Sequence, residues 1–170
     1  MAKKTSLREF QQYLADRLSV AAKGQGTATL LGVRAGQEDW LLDLSDSGEI
    51  IQLPPLTPVP LTRPGFAGIA NIRGNLYAVT DFSALRSGEA TAHNANARLL
   101  LIGVKYGSNA ALLVSRMLGL KNPEDFTEEA PDPKAPAWAT RCFRDGTGKL
   151  WRKLSVRELL TDEKFMNIGV

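Results

Sequence analysis

FAGIANIRGNLYAVTDF, Phe66–Phe82, is the stretch that decides the fold. It reads as two short strands, Ala67–Ile72 and Leu76–Phe82, joined by a tight turn on Gly74–Asn75. Glycine supplies the positive φ that a two-residue hairpin loop needs at no steric cost. Ile69, Ala70, Ile72, Leu76, Tyr77, Ala78 and Val79 make both strands apolar at almost every position, so both faces are expected to be covered. One cation, Arg73, sits at the turn and one anion, Asp81, at the far end. Arg73 is either a solvated loop residue or an anchor for a partner. The structural alternative is an internal ion pair to Glu49 or Asp81, while Asp81 is placed to cap a turn at Ser83–Leu85.

Around this hairpin the chain has ordinary globular composition, 44% hydrophobic and 23% charged over 170 residues, which suits one domain or two small subdomains. No apolar run reaches the roughly 18–20 residues of a membrane span, and MAKKTSLREF lacks the apolar core of a secretion leader. A single cysteine, Cys142, rules out an internal disulfide and fits a reducing cytosol. The net charge of +3 does not argue for nucleic acid. It is unevenly placed, however. Glu38, Asp39, Asp43, Asp46 and Glu49 form an acidic stretch, and Lys134–Arg157 is strongly basic. The two are expected at opposite ends of the protein, as solvated strand faces or as surfaces steering different partners.

Ser6–Leu18 has a capping-box start, Ser6 with Glu9, and an apolar face of Leu7, Phe10, Leu14 and Leu18, so a helix is expected before a linker that ends near Gly26. Thr27–Arg34 and Trp40–Leu44 read as a hairpin, and Ile50–Leu53 as a short strand. Five prolines then force an extended connection over Leu53–Gly65. Ser83–Ser87 reads as one helical turn. Arg98–Val104 with Ala110–Leu118, and Trp138–Phe143 with Leu150–Leu154 across the turn residues DGTG, read as two further strand pairs. Lys121–Pro136 reads as an exposed acidic loop. A last helix begins at Ser155, with Glu158 three residues on and Phe165 on its buried side. The pattern is mostly β with a helix at each end.

No catalytic constellation emerges. His93 is the sole histidine and lies in a polar loop, and Cys142 lies inside a strand pattern, so neither a metal site nor an activated nucleophile is expected. Gly146–Lys149 joins strands instead of opening a helix, which fits a hairpin tip better than a phosphate loop. Lys149, Arg152 and Lys153 around Trp151 could serve a barrel that binds single-stranded nucleic acid, the rival reading from another class. A pocket for a small ligand between two barrels is a third. What remains is recognition of proteins.

The run GIANIRGNLYAVTDF, Gly68–Phe82, resembles the signature of the CheW-like coupling domains of bacterial chemotaxis systems, and EIIQLPPLTPVP, Glu49–Pro60, is similar to that family's upstream segment. Pro60–Tyr77 looks most like the CheW-like adaptors of the twitching-motility, or type IV pilus, pathway. The resemblance implies two side-by-side SH3-like five-stranded β-barrels over residues 27–170, with residues 1–26 as helix and linker. It also implies a non-enzymatic, cytoplasmic adaptor, needing no cofactor and not inserting into the membrane, at membrane-bound receptor arrays. Its partners would be the cytoplasmic tip of a methyl-accepting receptor and the regulatory domain of a CheA-like histidine kinase. By the same resemblance Glu49, Ile50, Arg73, Gly74 and Asn75 fall around the receptor groove. Leu30, Val33, Trp40, Leu42 and Leu44, on the first strands, are the expected kinase-facing residues. Ser47, Ala78, Ser115 and Arg116 depart from the family pattern, which leaves the fold in place and bears on partner identity.

Overall fold

A computed structural model describes residues 29–169 and, ahead of them, Gln11; the helix expected over Ser6–Leu18 otherwise lies outside the described residues. The chain is mostly β, in two sheets. The strands are β1 (Leu30–Ala35), β2 (Glu38–Asp43), β3 (Ser47–Gln52), β4 (Phe66–Ile72), β5 (Asn75–Asp81), β6 (Arg98–Ile102), β7 (Ala110–Val114), β8 (Arg116–Lys121), β9 (Phe126–Glu129), β10 (Arg141–Asp145) and β11 (Leu150–Lys153). One sheet has five strands in the order β3-β6-β7-β5-β4; the other has six, β8-β1-β2-β11-β10-β9. Within residues 29–169 there are also three short α-helices, α1 (Phe82–Ser87), α2 (Val156–Leu159) and α3 (Glu163–Met166), and four 3-10 turns, Leu44–Asp46, Val104–Tyr106, Pro123–Asp125 and Ala137–Ala139.

Each sheet surrounds its own apolar cluster, and a third, larger one lies between them. Ala70, Ile72, Val79, Leu99, Leu101 and Leu113 fill the concave side of the five-stranded sheet. Leu30, Leu41 and Trp151, with Leu118, Phe126 and Phe143 packed against them, draw on every strand of the six-stranded sheet. Between the sheets, Leu31, Val33, Trp40 and Leu42 meet Leu100, Leu112 and Val114. Strands β6 and β7 are therefore apolar at consecutive positions because their two faces serve two different cores. At the centre, Trp40 meets Phe82 at 4.7 Å edge-on and stacks on Trp138 at 5.9 Å. A side chain as buried as Leu100 or Leu112 contributes roughly 1.5–3 kcal/mol.

Several boundaries differ from expectation, each for a local reason. The apolar run Ala110–Leu118 is two strands, because the chain changes sheets at Ser115. The Ser115 N–H donates to the Arg34 carbonyl at 2.9 Å, and its hydroxyl accepts from the Gly36 N–H at 3.3 Å. Leu44, Val104 and Trp138 fall in single 3-10 turns at strand ends. Phe126–Glu129, expected as loop, is an edge strand whose Glu128 and Glu129 are tied to Arg141 and Arg144 of β10. The last helix is two: Ser155 caps α2 as expected, and Asp162 accepts from Lys164 and Phe165 to start α3. Asp81 caps α1 as expected, accepting from the Ala84 N–H, and it also accepts from the Thr91 N–H and hydroxyl. In the DGTG turn, the Asp145 carboxylate accepts from the Thr147 hydroxyl, Trp151 Nε1–H, and the Lys149 and Thr147 N–H groups, which holds it far below the usual carboxylate range.

The acidic and basic stretches do not lie at opposite ends. β2 and β11 pair in parallel, with Trp151 opposite Asp39 and Arg152 opposite Trp40. Glu38 binds Arg152 at 2.7 Å and Arg86 at 3.1 Å, Asp43 binds Lys153 at 3.1 Å, and Asp39 is held by Arg34 and Lys149. Glu38, Asp39 and Asp43 of the acidic stretch are thus met by Arg152, Lys149 and Lys153 of the basic one across adjacent strands.

Candidate protein-binding surface

The signature hairpin turns one residue earlier than its sequence suggests. Ile72 pairs with Asn75, so the loop residues are Arg73 and Gly74, with φ of 50° and 85°. A two-residue loop of this hand needs positive φ at both positions. The Asn71 side chain accepts from the Gly74 N–H at 2.9 Å and fixes the loop. At the other end of β4, Gly68 has φ 135°, and a Cβ there would stand 2.6 Å from the Thr57 carbonyl oxygen. Thr57 pairs with Ile69 through bonds of 2.8 and 2.9 Å, so the prolyl connection closes the outer edge of β4. The tip of the hairpin is not covered as expected. Leu76 is 60% exposed, because it lies beside the turn and beyond the reach of the prolyl segment's pairing.

Glu49 reaches this turn from β3. The β3–β6 register slips between Ser47 and Ile50, and the extra residue turns the Glu49 side chain outward. Both of its oxygens meet the Arg73 guanidinium: Oε1 with Nη1 at 3.0 Å, and Oε2 with Nη2. The hydrogen bond holds the Glu49 carboxyl below its ordinary range and pushes the Arg73 guanidinium up. The pair joins opposite edges of the five-stranded sheet, β3 to the β4–β5 turn. It remains wet, with the two side chains 46% and 69% exposed. Gly74 and Asn75 are exposed beside it, while Ile50 is half-buried against the inter-sheet core.

Sequence alone misses two features of the turns that precede β3 and follow β6, which meet through the Gly103 N–H and the Asp46 carbonyl. The Asp46 carboxylate is held by Lys105 and the Tyr106 hydroxyl, both at 2.7 Å. On the same turn Val104 is 96% exposed. An apolar residue immediately after Gly103, where the β6 pattern breaks, is the signal that could have located it.

The residues expected to face a kinase sit elsewhere than expected. Val33, Trp40 and Leu42 are buried between the sheets, and Leu30 is buried inside the six-stranded one. β1 and β2 are both flanked by other strands, so no edge frees these side chains. They are core residues; Leu44 alone of the five is half-buried. The basic third offers no stacking platform for a nucleic acid strand either. Trp151 is buried, and Lys149, Arg152 and Lys153 are paired with Asp39, Glu38 and Asp43. Cys142 is buried in β10 and His93 is exposed in its loop. Among the described residues no cluster of three or more His, Cys, Asp or Glu is placed to hold a metal, and no helix is long and apolar enough to cross a membrane.

Two sheets sharing a core, with a solvated ion pair at a two-residue hairpin turn, are the architecture of this chain. The family model for the CheW-like domain matches residues 29–164, and the chain belongs to that family. It is 25% identical over 145 residues to Protein PilI of Pseudomonas aeruginosa, an alignment covering 82% of this chain and 79% of that protein. Its fold resembles that of the scaffolding protein TtCheW from Thermoanaerobacter tengcongensis, with TM-score 0.67 and 18% identity, covering 78% of this chain and 86% of that one.

Proposed function

We propose that this chain is a non-enzymatic chemosensory adaptor that couples a methyl-accepting receptor to a CheA-like histidine kinase in a type IV pilus pathway. The observation that carries the proposal is the exposed Glu49–Arg73 fork on the signature hairpin of a CheW-like chain. Similarity to PilI is what favours the pilus pathway over other chemosensory systems. A forked guanidinium held by one carboxylate presents planar, directional donors to a second acceptor, such as a carboxylate or carbonyl at a helical receptor tip. Exposed as it is, the pair costs little to open or share. Glu49, Ile50, Arg73, Gly74 and Asn75 form the proposed receptor contact.

For the kinase, Leu44 remains a proposed contact. Leu30, Val33, Trp40 and Leu42 act by shaping the first hairpin from inside. The shared core between the sheets makes the two faces one body, so an orientation imposed at one is felt at the other. Titration calorimetry against a receptor-tip fragment and, separately, the kinase regulatory domain tests the proposal. Both should bind, and Arg73→Ala should lose receptor binding by about tenfold or more while keeping kinase binding and its melting temperature. Receptor binding unchanged in that folded variant would make the ion pair structural only. Absence of both wild-type interactions would overturn the adaptor function.

A further inference from the structure

Clefts between the described residues differ in their charge. One is lined by Asp43, Asp46 and Glu158 together with Arg141 and Lys153. A second mixes Arg86, Lys134 and Lys164 with Glu158, Asp162 and Glu163. The third, about 250 Å³, has Phe66, Leu85, Phe165 and Ile168 in its lining, and its charged residues are Arg63 and Lys164. Among the described residues neither of these cations is in an ion pair, and no carboxylate lines this cleft, whereas the other two each carry acids beside their cations.

This third cleft is preformed. The Arg63 N–H donates to the Ile168 carbonyl and the Asp81 N–H to the Gly65 carbonyl, each at 2.8 Å. Thr62 bridges to Gly169 on one wall. Asp162 accepts from the Lys164 and Phe165 N–H groups at 2.9 and 3.1 Å and sets the helix from which both side chains project. Little ordering is left for a ligand to impose. Its volume lies below the roughly 300–1,000 Å³ of pockets that enclose a small molecule, and suits a side chain or two of a peptide.

We propose that this cleft docks a short acidic segment of a partner protein. One bulky apolar side chain packs against Phe66, Leu85, Phe165 and Ile168, and a flanking carboxylate is held by Arg63 and Lys164. The apolar wall supplies affinity, and the two cations select the sign of the segment, since a lysine in the same place would be repelled. The lining shares no residue with the Glu49–Arg73 face, so the two sites stand or fall separately.

The test is selection from a random linear peptide library on the immobilised full chain. Fluorescence polarisation with one labelled enriched peptide follows. Enriched sequences should combine Asp or Glu with Leu, Ile, Phe or Trp. The peptide should bind at least about tenfold more weakly to Arg63→Glu/Lys164→Glu and with unchanged affinity to Glu49→Gln/Arg73→Ala. Melting curves check that each variant is folded; Lys164→Gln, at an exposed position, serves if the double reversal is not. Selection without acidic bias, or binding unchanged in the folded charge variants, overturns the proposal. So would concentration-dependent self-association in sedimentation that these variants abolish, because a second copy would then be the occupant.

Discussion

Asp39 and Glu49 lie in one acidic stretch and each is forked to arginine, yet they do opposite things. The Asp39 side chain is 1% exposed and is shared by Arg34, across the antiparallel β1–β2 hairpin, and by Lys149, just ahead of β11. Burial pushes its carboxyl up, but hydrogen bonds and charge from Arg34 and Lys149 outweigh that and hold it below the ordinary range. Glu49, on a bulge at a sheet edge, keeps nearly half its surface in water and has one cation. The first is committed to holding strands together. The second is available, because water screens it and its release leaves no charge stranded in the interior.

The sharpest way to break this contrast is to strand the buried acid. Arg34→Met/Lys149→Met leaves Asp39 buried without a cation and should cost about 3 kcal/mol in urea unfolding. A loss near zero would mean that Asp39 is as solvated as Glu49. Removing the charge while keeping the shape, as in Asp39→Asn, should cost less, roughly 2 kcal/mol. It should also alter the acid limb of stability. The folded-state pKa of Asp39 is depressed, so its contribution is complete above the unfolded carboxylate value of about 4 and is lost as pH falls through the lower folded value. Urea midpoints measured down the acid range should therefore fall less steeply in Asp39→Asn than in the wild type. Glu49→Gln sits at the small end. It should leave the urea midpoint unchanged and show itself only in the receptor titration, which added salt should weaken as well.

The sequence was most readable where one residue type has one physical use. The strand–turn–strand around Gly74, to within one residue at the turn, the Asp81 cap and the Ser155 cap all found their places, because turns and caps are set by local chemistry. The pairing of β2 with β11 was not readable, since nothing local to Glu38–Asp43 or Leu150–Lys153 says that they are neighbours. That single long-range contact turned two apparently separate charged surfaces into one neutralised seam. β9 escaped notice for a related reason. FTEE at a sheet edge has one apolar residue and two glutamates whose partners lie on β10. At the candidate site, Glu49 and Arg73 were nameable from the motif, and an ion pair of Arg73 to Glu49 or Asp81 was an open alternative; what the sequence could not choose was Glu49, which is turned to Arg73 by the bulge in β3. The buried positions of Val33, Trp40 and Leu42 follow from packing between sheets, which a strand's own pattern does not reveal when both of its faces are apolar.

The six-stranded sheet is assembled from two stretches of chain, residues 30–43 and 116–153, with the entire five-stranded sheet spelled out between them. During synthesis the first hairpin leaves the ribosome long before β11 exists. At roughly 5–20 residues per second, Trp40 and Leu42 wait on the order of ten seconds for the strand that completes their sheet. The five-stranded sheet, contiguous in sequence, is expected to form first and to template the waiting hairpin. A nascent chain stalled after Val114 should accordingly resist protease over residues 47–114 and be cut within residues 30–43. The same interval makes that first hairpin the segment a trigger-type chaperone would be recruited to cover.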